Sequence, residues 1–424
     1  MDKYLKRCVD EILKEKLESS GAVLIKGPKW CGKSTTAKQF TKSAIYMQKS
    51  GEREQNIALA KNAPNIFLSG KTPKLIDEWQ IIPFIWDDIR YEIDERNKFG
   101  QFILTGSSTP LLKNKNEISH SGIGRITTLV MRPMSLYESL DSSGTVSLND
   151  LFNGFSVTGG KSSKTLADYA FLTCRGGWPS SVGVSEKVGL NIAKNYYDSL
   201  VEIDLSEADE VNRDLDKVKA TLRSYARNVS TECSIQTLIK DIKENDNKSI
   251  SDETIRSYIT ALKNIYILED ISAWNPNLRS RTIVRTSPTR HFVDPSIGCI
   301  ALGIGPKDLI NDLKTFGLFF EDLVVRDLKI YSEKLGGKVY HYRDNAGLET
   351  DAVIHLENGK WGAIEIKLCD SDRIEEGVNH LLKFSKLISK NRKEPSFLMV
   401  VTATEYAYKR KDGVWIVPLA CLKD

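Results

Sequence analysis

Along this chain, short unbroken apolar runs alternate with longer stretches of helical spacing. Leu5, Val9, Ile12, Leu13 and Leu17 recur at three- and four-residue intervals and predict a charged, one-sided helix over residues 1–20. Ala22-Val23-Leu24-Ile25 follows as a solid run, short enough to read as a buried strand. Lys74-Leu75-Ile76-Asp77-Glu78 and Gln101-Phe102-Ile103-Leu104-Thr105 are two more such runs, each ending in polar residues and separated by helical stretches. Strand, helix, strand in alternation is the signature of a parallel sheet. Residues 126–131 add a further strand that leads into Arg132-Pro133-Met134-Ser135-Leu136.

Beyond this point the pattern changes. Residues 141–165 are rich in Ser, Gly and Thr and read as a loop or boundary. Residues 166–215 are mostly helical, interrupted by Arg175-Gly176-Gly177-Trp178-Pro179. Helical patterns over 235–242 and 251–268 flank a polar turn at 244–249. Ser251 is placed as N-cap, with Thr254 where a stronger capping box would carry Glu. With the strand-like residues 281–285 after them, these helices predict a winged helix-turn-helix. From about residue 300, a helix over 318–328 precedes strands over 339–343, 350–356 and 361–368. The expected division is therefore 1–155 as a parallel-sheet core, 156–215 as a helical lid or connector, 216–295 as the winged helix-turn-helix and 296–424 as a C-terminal α/β domain.

Bulk composition narrows the class. A chain of 424 residues exceeds one ordinary core. With 41% hydrophobic and 27% charged residues it reads as a globular protein. No run approaches the roughly 18 apolar residues of a membrane span, and the N-terminal stretch lacks the uninterrupted apolar segment of a signal peptide. The seven cysteines are scattered, odd in number and never in a CxxC pair, which points to a reducing cytoplasm without a disulfide frame. A net charge of +4 permits nucleic-acid contact without demanding it.

The first chemistry-bearing motif is Gly27-Pro28-Lys29-Trp30-Cys31-Gly32-Lys33-Ser34, a Gly-x-x-x-x-Gly-Lys-Ser pattern that follows an apolar strand and opens a helix continuing through Thr35. Its glycines let backbone N–H groups turn inward around phosphate at a helix N-terminus. Lys33 would reach the β- and γ-phosphates, and the Ser34 hydroxyl would ligate Mg²⁺. Downstream, Asp77 at a strand's carboxyl end could hold the same ion, with Glu78 polarising the attacking water. An acidic pair after a core strand is ordinary alone; its place beyond a phosphate loop gives it meaning. In Thr105-Gly106-Ser107-Ser108, Ser107 or Thr105 could sense the γ-phosphate. Arg125 and Arg132 are candidates for a charge-neutralising cation, acting in cis or from a neighbouring copy.

A second constellation sits near the other end. Asp351 lies in one predicted strand; Glu365 and Lys367 lie two apart in the next, so they share a face while Ile364, Ile366 and Leu368 fill the other. Glu321 on the preceding helix could complete a metal shell. Carboxylates converging on Mg²⁺ or Mn²⁺, with a lysine to orient water, are what phosphodiester cleavage uses.

Together these residues resemble a family of prokaryotic AAA-type ATPases, distantly related to ORC/Cdc6-like and STAND NTPases. Its members join an N-terminal P-loop domain to a C-terminal domain of unknown function. The resemblance runs through Gly27 to Ser34, Leu75-Ile76-Asp77-Glu78-Trp79-Gln80, Leu104-Thr105-Gly106-Ser107-Ser108, Gly124-Arg125, Arg132-Pro133-Met134-Ser135-Leu136-Tyr137-Glu138 and Gly176-Gly177-Trp178-Pro179. Tyr342-Arg343-Asp344, Glu349-Thr350-Asp351 and Glu365-Ile366-Lys367 close the set. It implies an ATPase core of AAA/ASCE type, a winged-helix middle and a restriction-endonuclease-like end of the PD-(D/E)xK type. One departure is that Glu349-Thr350, with no Pro, precedes Asp351.

The composite expectation is a cytoplasmic, ATP- and Mg²⁺-dependent switch whose nucleotide state governs a nuclease-like domain acting on DNA, with assembly into a homo-oligomer open. Arg279, Arg281, Arg285 and Arg290 could track a phosphate backbone, although Asp252 and Glu253 open the helix that would enter a groove. The alternatives are a non-cleaving DNA-binding regulator and an ATPase whose winged helix docks a protein.

Overall fold

A computed structural model of the chain describes residues 4–106, 124–201, 213–276, 287–389 and 393–424. Two compact units emerge, one built chiefly from residues 1–133 and the other from 134–203, 212–263 and 267–424. The boundaries expected at 155, 215 and 295 all fall within the second unit.

The first unit is a five-stranded parallel sheet with helices on both faces. Its strands are β1 (Ala22–Lys26), β2 (Ser43–Tyr46), β3 (Lys74–Asp77), β4 (Phe102–Gly106) and β5 (Ile126–Val130), in the order β2-β3-β4-β1-β5. Strand alternation divides the apolar runs between the two faces. Leu24, Ile76, Phe102 and Leu104 join α3 (Ser50–Asn62), α4 (Pro64–Leu68) and α5 (Ile85–Arg96) in one core. Val23, Ile25, Leu75 and Ile103 meet α1 (Val9–Ser19) and α2 (Lys33–Phe40) in the other. Both faces being covered explains why the strands read as unbroken apolar runs. The helix expected over 1–20 begins at Val9 and buries Val9, Leu13 and Leu17 of the predicted stripe. Strand β2 has no counterpart in the sequence reading, because as an edge strand it is only half buried and shows no apolar run.

The second unit contains a mixed seven-stranded sheet. Its strands are β7 (Gly160–Lys161), β8 (Gly337–Arg343), β9 (Glu349–Leu356), β10 (Trp361–Ile366), β11 (Phe397–Thr402), β12 (Tyr406–Lys409) and β13 (Trp415–Pro418), in the order β7-β12-β13-β11-β10-β9-β8. A small two-stranded sheet pairs β14 (Leu422–Lys423) with β6 (Val146–Ser147). Val378, Leu381 and Phe384 of the helix Ser371–Ile388 close a core over Val353, Trp361, Ala363, Val400 and Ile416. The three strands expected between 339 and 368 are present with boundaries shifted by a residue or two.

The expected helix pair also forms, as Ile235–Asp246 and Asp252–Asn264, and Ser251 caps the second by accepting from the Thr254 N–H at 3.1 Å. The anticipated wing strand at 281–285 lies outside the described residues, as do Arg279, Arg281 and Arg285. Nearby, the described residues contribute only isolated bridges, Leu268 to Phe292 and Ile271 to Thr289. Arg290, expected along a phosphate backbone, is instead buried. It is 6% exposed and bonded to Asp270 at 2.9 Å and to the Cys233 carbonyl at 2.9 Å, so it is a core ion-pair residue, turned away from any phosphate backbone.

Leu104 stands in the middle of the central strand β4 with no exposed surface. Leu104→Ala should cost about 2–5 kcal/mol of unfolding free energy, measured by urea titration.

Candidate functional site

All five strands of the first sheet run the same way, so their carboxyl ends meet along one edge. In open parallel sheets that edge is where ligands bind. Gly27 to Gly32 leave β1 there and lead directly into α2, which begins at Lys33. Gly27 and Gly32 take left-handed backbone angles, φ 150° and 102°. A side chain at Gly27 would place its Cβ 2.0 Å from the Met131 carbonyl, so only glycine fits. Trp30 is also left-handed (φ 63°) with its ring half exposed. Pro28 and Cys31 are buried, Lys29 is partly buried and Thr35 is exposed in the first turn of α2. The buried Lys33 ammonium donates to the Gly27 and Pro28 carbonyls at 2.9 and 2.7 Å.

Asp77 ends β3 and Thr105 nearly ends β4, in direct register with each other. The Ser34 hydroxyl donates to Asp77 Oδ1 at 2.6 Å, and the Thr105 hydroxyl donates to the same oxygen at 2.5 Å. Glu78 follows in a left-handed conformation (φ 57°), unusual for a non-glycine residue. Its carboxylate accepts from the Gln80 side chain. Ser34, Asp77 and Thr105 are thus brought together, with Glu78 adjacent in the chain.

Arg125 is not brought to this edge. Its carbonyl accepts from Ala22 at the start of β1, which puts it at the amino ends of the strands, and its side chain pairs with Asp94 at 2.9 Å. Arg132 follows β5 at the loop edge. Ser107 lies outside the described residues. A residue that sequence reading passes over is Arg7, buried against the loop and bonded to the carbonyls of Cys31 and Arg132.

Among the described residues no group of three or more His, Cys, Asp or Glu could cage a metal ion. Mg²⁺ beside a triphosphate needs no such cage, because it keeps several waters and takes one or two protein oxygens plus substrate phosphates. The hard oxygens of Ser34 and Asp77, already within hydrogen-bond reach, fit that role.

The second constellation also converges. Glu365, 1% exposed, lies in β10, and Lys367 just past its end; the ammonium reaches Glu365 Oε2 at 2.7 Å and Asp351 Oδ2 at 3.2 Å. Asp351 Oδ2 also accepts from the Ile366 N–H at 2.7 Å. Glu321, on the helix Leu313–Lys334, feels the charges of Asp351, Lys367 and Glu365. Gly377 on the helix Ser371–Ile388 passes so close that a Cβ there would sit 3.3 Å from Glu365 Cβ and 3.4 Å from Lys367 Cε. Glu365 and Lys367 therefore do share a face, and Gly377 is a second residue that the sequence reading missed. Its one signal was a glycine inside an otherwise helical pattern.

Burial, and then the neighbouring Asp351 charge, push both Glu321 and Glu365 well above the usual carboxylate range. Burial alone would lower Lys367, but Asp351 and Glu365 carry it above its ordinary value. Glu365 Oε1 is buried without a hydrogen-bond partner among the described residues. As arranged, the Lys367 ammonium holds the place where a cation would bind between Asp351 and Glu365. The cluster is an ion-pair network whose hard carboxylate oxygens, Glu365 Oε1 among them without a partner, would suit Mg²⁺ or Mn²⁺ once that ammonium moved aside.

A carboxyl whose folded pKa is raised keeps more protons folded than unfolded, so its stability contribution is greatest at acid pH and is lost as pH rises through the folded value. Glu365→Gln removes that loss. Its cost in unfolding free energy, set by the lost Lys367 pairing, should therefore be smaller at pH 8 than at pH 4, read from denaturant titrations at both pH values.

Comparison with known proteins matches the chain in three regions. Residues 19–140 match an AAA domain, residues 166–308 a domain of unknown function (DUF8612) and residues 316–422 another domain of unknown function (DUF4143). Uncharacterized proteins of Mycobacterium bovis and Mycobacterium tuberculosis are each 24% identical over 408 residues, covering 96% of this chain and 82% of theirs. Among solved structures, a Walker-type ATPase of Pyrococcus abyssi aligns at 14% identity and TM-score 0.42, over 69% of this chain and 94% of that one. A STAND protein with a tetratricopeptide repeat sensor from Pyrococcus horikoshii aligns at 12% identity and TM-score 0.24, over 79% of this chain and 50% of that one. Among the described residues no helix is long and apolar enough to cross a membrane. The N-terminal parallel sheet and its phosphate loop are consistent with the match of residues 19–140 to an AAA domain.

Proposed function

We propose that the chain binds ATP with Mg²⁺ at the Gly27–Thr35 loop and hydrolyses it. The observation that carries this reading is the meeting of the Ser34 hydroxyl and the Asp77 carboxylate at 2.6 Å beside the loop. When bound, Mg²⁺ would neutralise phosphate charge. Ser34 and Asp77 would hold it, the loop N–H groups would cradle the phosphates, and Lys33 would turn from the Gly27 and Pro28 carbonyls toward the outer phosphates. Glu78 would orient and deprotonate the attacking water, and Thr105 would hold Asp77 in position. Arg125, at the far end of the sheet, could serve a nucleotide only from a second copy of the chain.

Phosphate release measured on the purified chain tests the assignment. Lys33→Ala and Asp77→Asn should each lower turnover by about a hundredfold or more. Glu78→Gln should bind ATP with near-normal affinity and lose turnover to a similar extent. Normal turnover by Lys33→Ala would overturn the site.

The finer part of the proposal is that nucleotide state controls a C-terminal site acting on DNA. It is favoured by the convergence of Asp351, Glu365 and Lys367, with Glu321 close by. Supercoiled DNA incubated with Mg²⁺ or Mn²⁺, with and without ATP, should be nicked by the native chain and left intact by Asp351→Ala and Lys367→Ala. Intact DNA under every condition would leave the cluster as a buried ion-pair network, with the chain acting as a non-cleaving regulator or docking a protein.

A further inference from the structure

Arg7 lies outside every motif, yet its guanidinium is packed against the phosphate loop. It is 6% exposed. Nη1 donates to the Cys31 carbonyl at 2.9 Å, and Nη2 donates to the Arg132 carbonyl at 2.8 Å. One planar fork therefore ties the loop to the chain leaving β5. A second tie runs alongside it, from Cys31 Sγ to the Met131 carbonyl at 3.4 Å. The segment that carries Arg7 is itself anchored. Asp10 accepts from the Arg7 N–H at 2.9 Å and from the Tyr4 hydroxyl at 2.6 Å, and the same hydroxyl lies 2.9 Å from Thr36 Oγ1 on α2.

The geometry of the peptide unit gives this contact a consequence. In a trans peptide the carbonyl and the following N–H point in opposite directions. The Cys31 carbonyl, drawn outward onto Arg7, turns the Gly32 N–H the other way. A phosphate nest requires its N–H groups to face the anion and its carbonyls to face away. Gly32 has the left-handed freedom to flip that peptide (φ 102°), so something must hold it. A guanidinium does this better than a neutral donor, because it stays charged at any working pH and its bonds are charge-assisted. Its buried positive charge also adds to the field that draws a triphosphate to the loop.

We propose that Arg7 is a positioning residue for nucleotide: it fixes the Cys31–Gly32 peptide with its N–H toward the phosphates and locks the loop to the end of β5. This rests on the ATP-binding reading above. Its effect belongs to binding and much less to the chemical step.

Calorimetric titration of the full chain with ATP and Mg²⁺, alongside steady-state phosphate release, tests it with Arg7→Ala, Arg7→Lys and Lys33→Ala. Arg7→Ala should weaken ATP binding and raise KM by about tenfold or more, with kcat at saturating ATP changed by less than about threefold. Arg7→Lys should fall between, because a single ammonium cannot span both carbonyls as the fork does. Millimolar guanidinium should restore binding to Arg7→Ala and leave Lys33→Ala unrestored. Native binding by Arg7→Ala, while Lys33→Ala loses it, overturns the role of Arg7 and spares the site. Absence of ATP binding by the unaltered chain overturns both. Should circular dichroism show Arg7→Ala unfolded, Arg7→Lys decides: a native-like melting profile with unchanged ATP affinity and KM refutes the proposal, and weakened affinity in a folded protein sustains it.

Discussion

One oxygen of Asp77 accepts hydrogen bonds from the hydroxyls of Ser34, in the first turn of α2, and of Thr105 on β4. Three consecutive pieces of the sheet edge are tied through that single atom. The tie is available only because β4 is inserted between β1 and β3 with all three parallel, so that their polar ends coincide. An antiparallel neighbour would have sent one of these residues to the opposite edge. The burial of both sheet faces makes this arrangement hard to perturb, since sliding a strand by one residue would exchange its two apolar sets between the two cores. Function at the loop is therefore underwritten by the hydrophobic pattern of strands that never touch a ligand.

The parts of this architecture that follow from local pattern were legible before the structure. The run Ala22 to Ile25, the loop after it and the acidic end of β3 each announce themselves within a few residues. So does the shared face of Glu365 and Lys367, because strand periodicity needs no tertiary information. What stayed hidden depends on distant partners. Arg7 acquires its role from carbonyls 24 and 125 positions away. Arg290, read as a surface cation, is claimed by Asp270. Arg125 looked suitable by its glycine-rich surroundings, but only the pairing of β5 with β1 reveals which end of the sheet it occupies.

The C-terminal cluster illustrates a different tension. Two carboxylates, Asp351 and Glu365, flank one ammonium with Glu321 within electrostatic reach, and burial raises the affinity of Glu321 and Glu365 for protons. Such an arrangement is costly to assemble, and an apolar replacement of similar shape would often be at least as stable. Close approach by Gly377 keeps the helix Ser371–Ile388 against the cluster and limits access from that side. The sheet thus keeps charge where packing alone would place aliphatic side chains, which is the reason to look for chemistry there.

Within the second unit, Arg326 binds Asp294 at 2.9 Å and Asp327 at 2.7 Å, and all three side chains are almost wholly excluded from solvent. Asp294 also accepts from the Gly177 N–H, and Asp327 accepts from the Leu136 N–H. The two matched regions of unknown function, 166–308 and 316–422, meet in this pair of carboxylates around one guanidinium. A gene fragment starting between them would strand Arg326 with half of its counter-charge inside a low-dielectric interior. Separating the two regions would cost about 3–5 kcal/mol at this one pairing, which couples their folding.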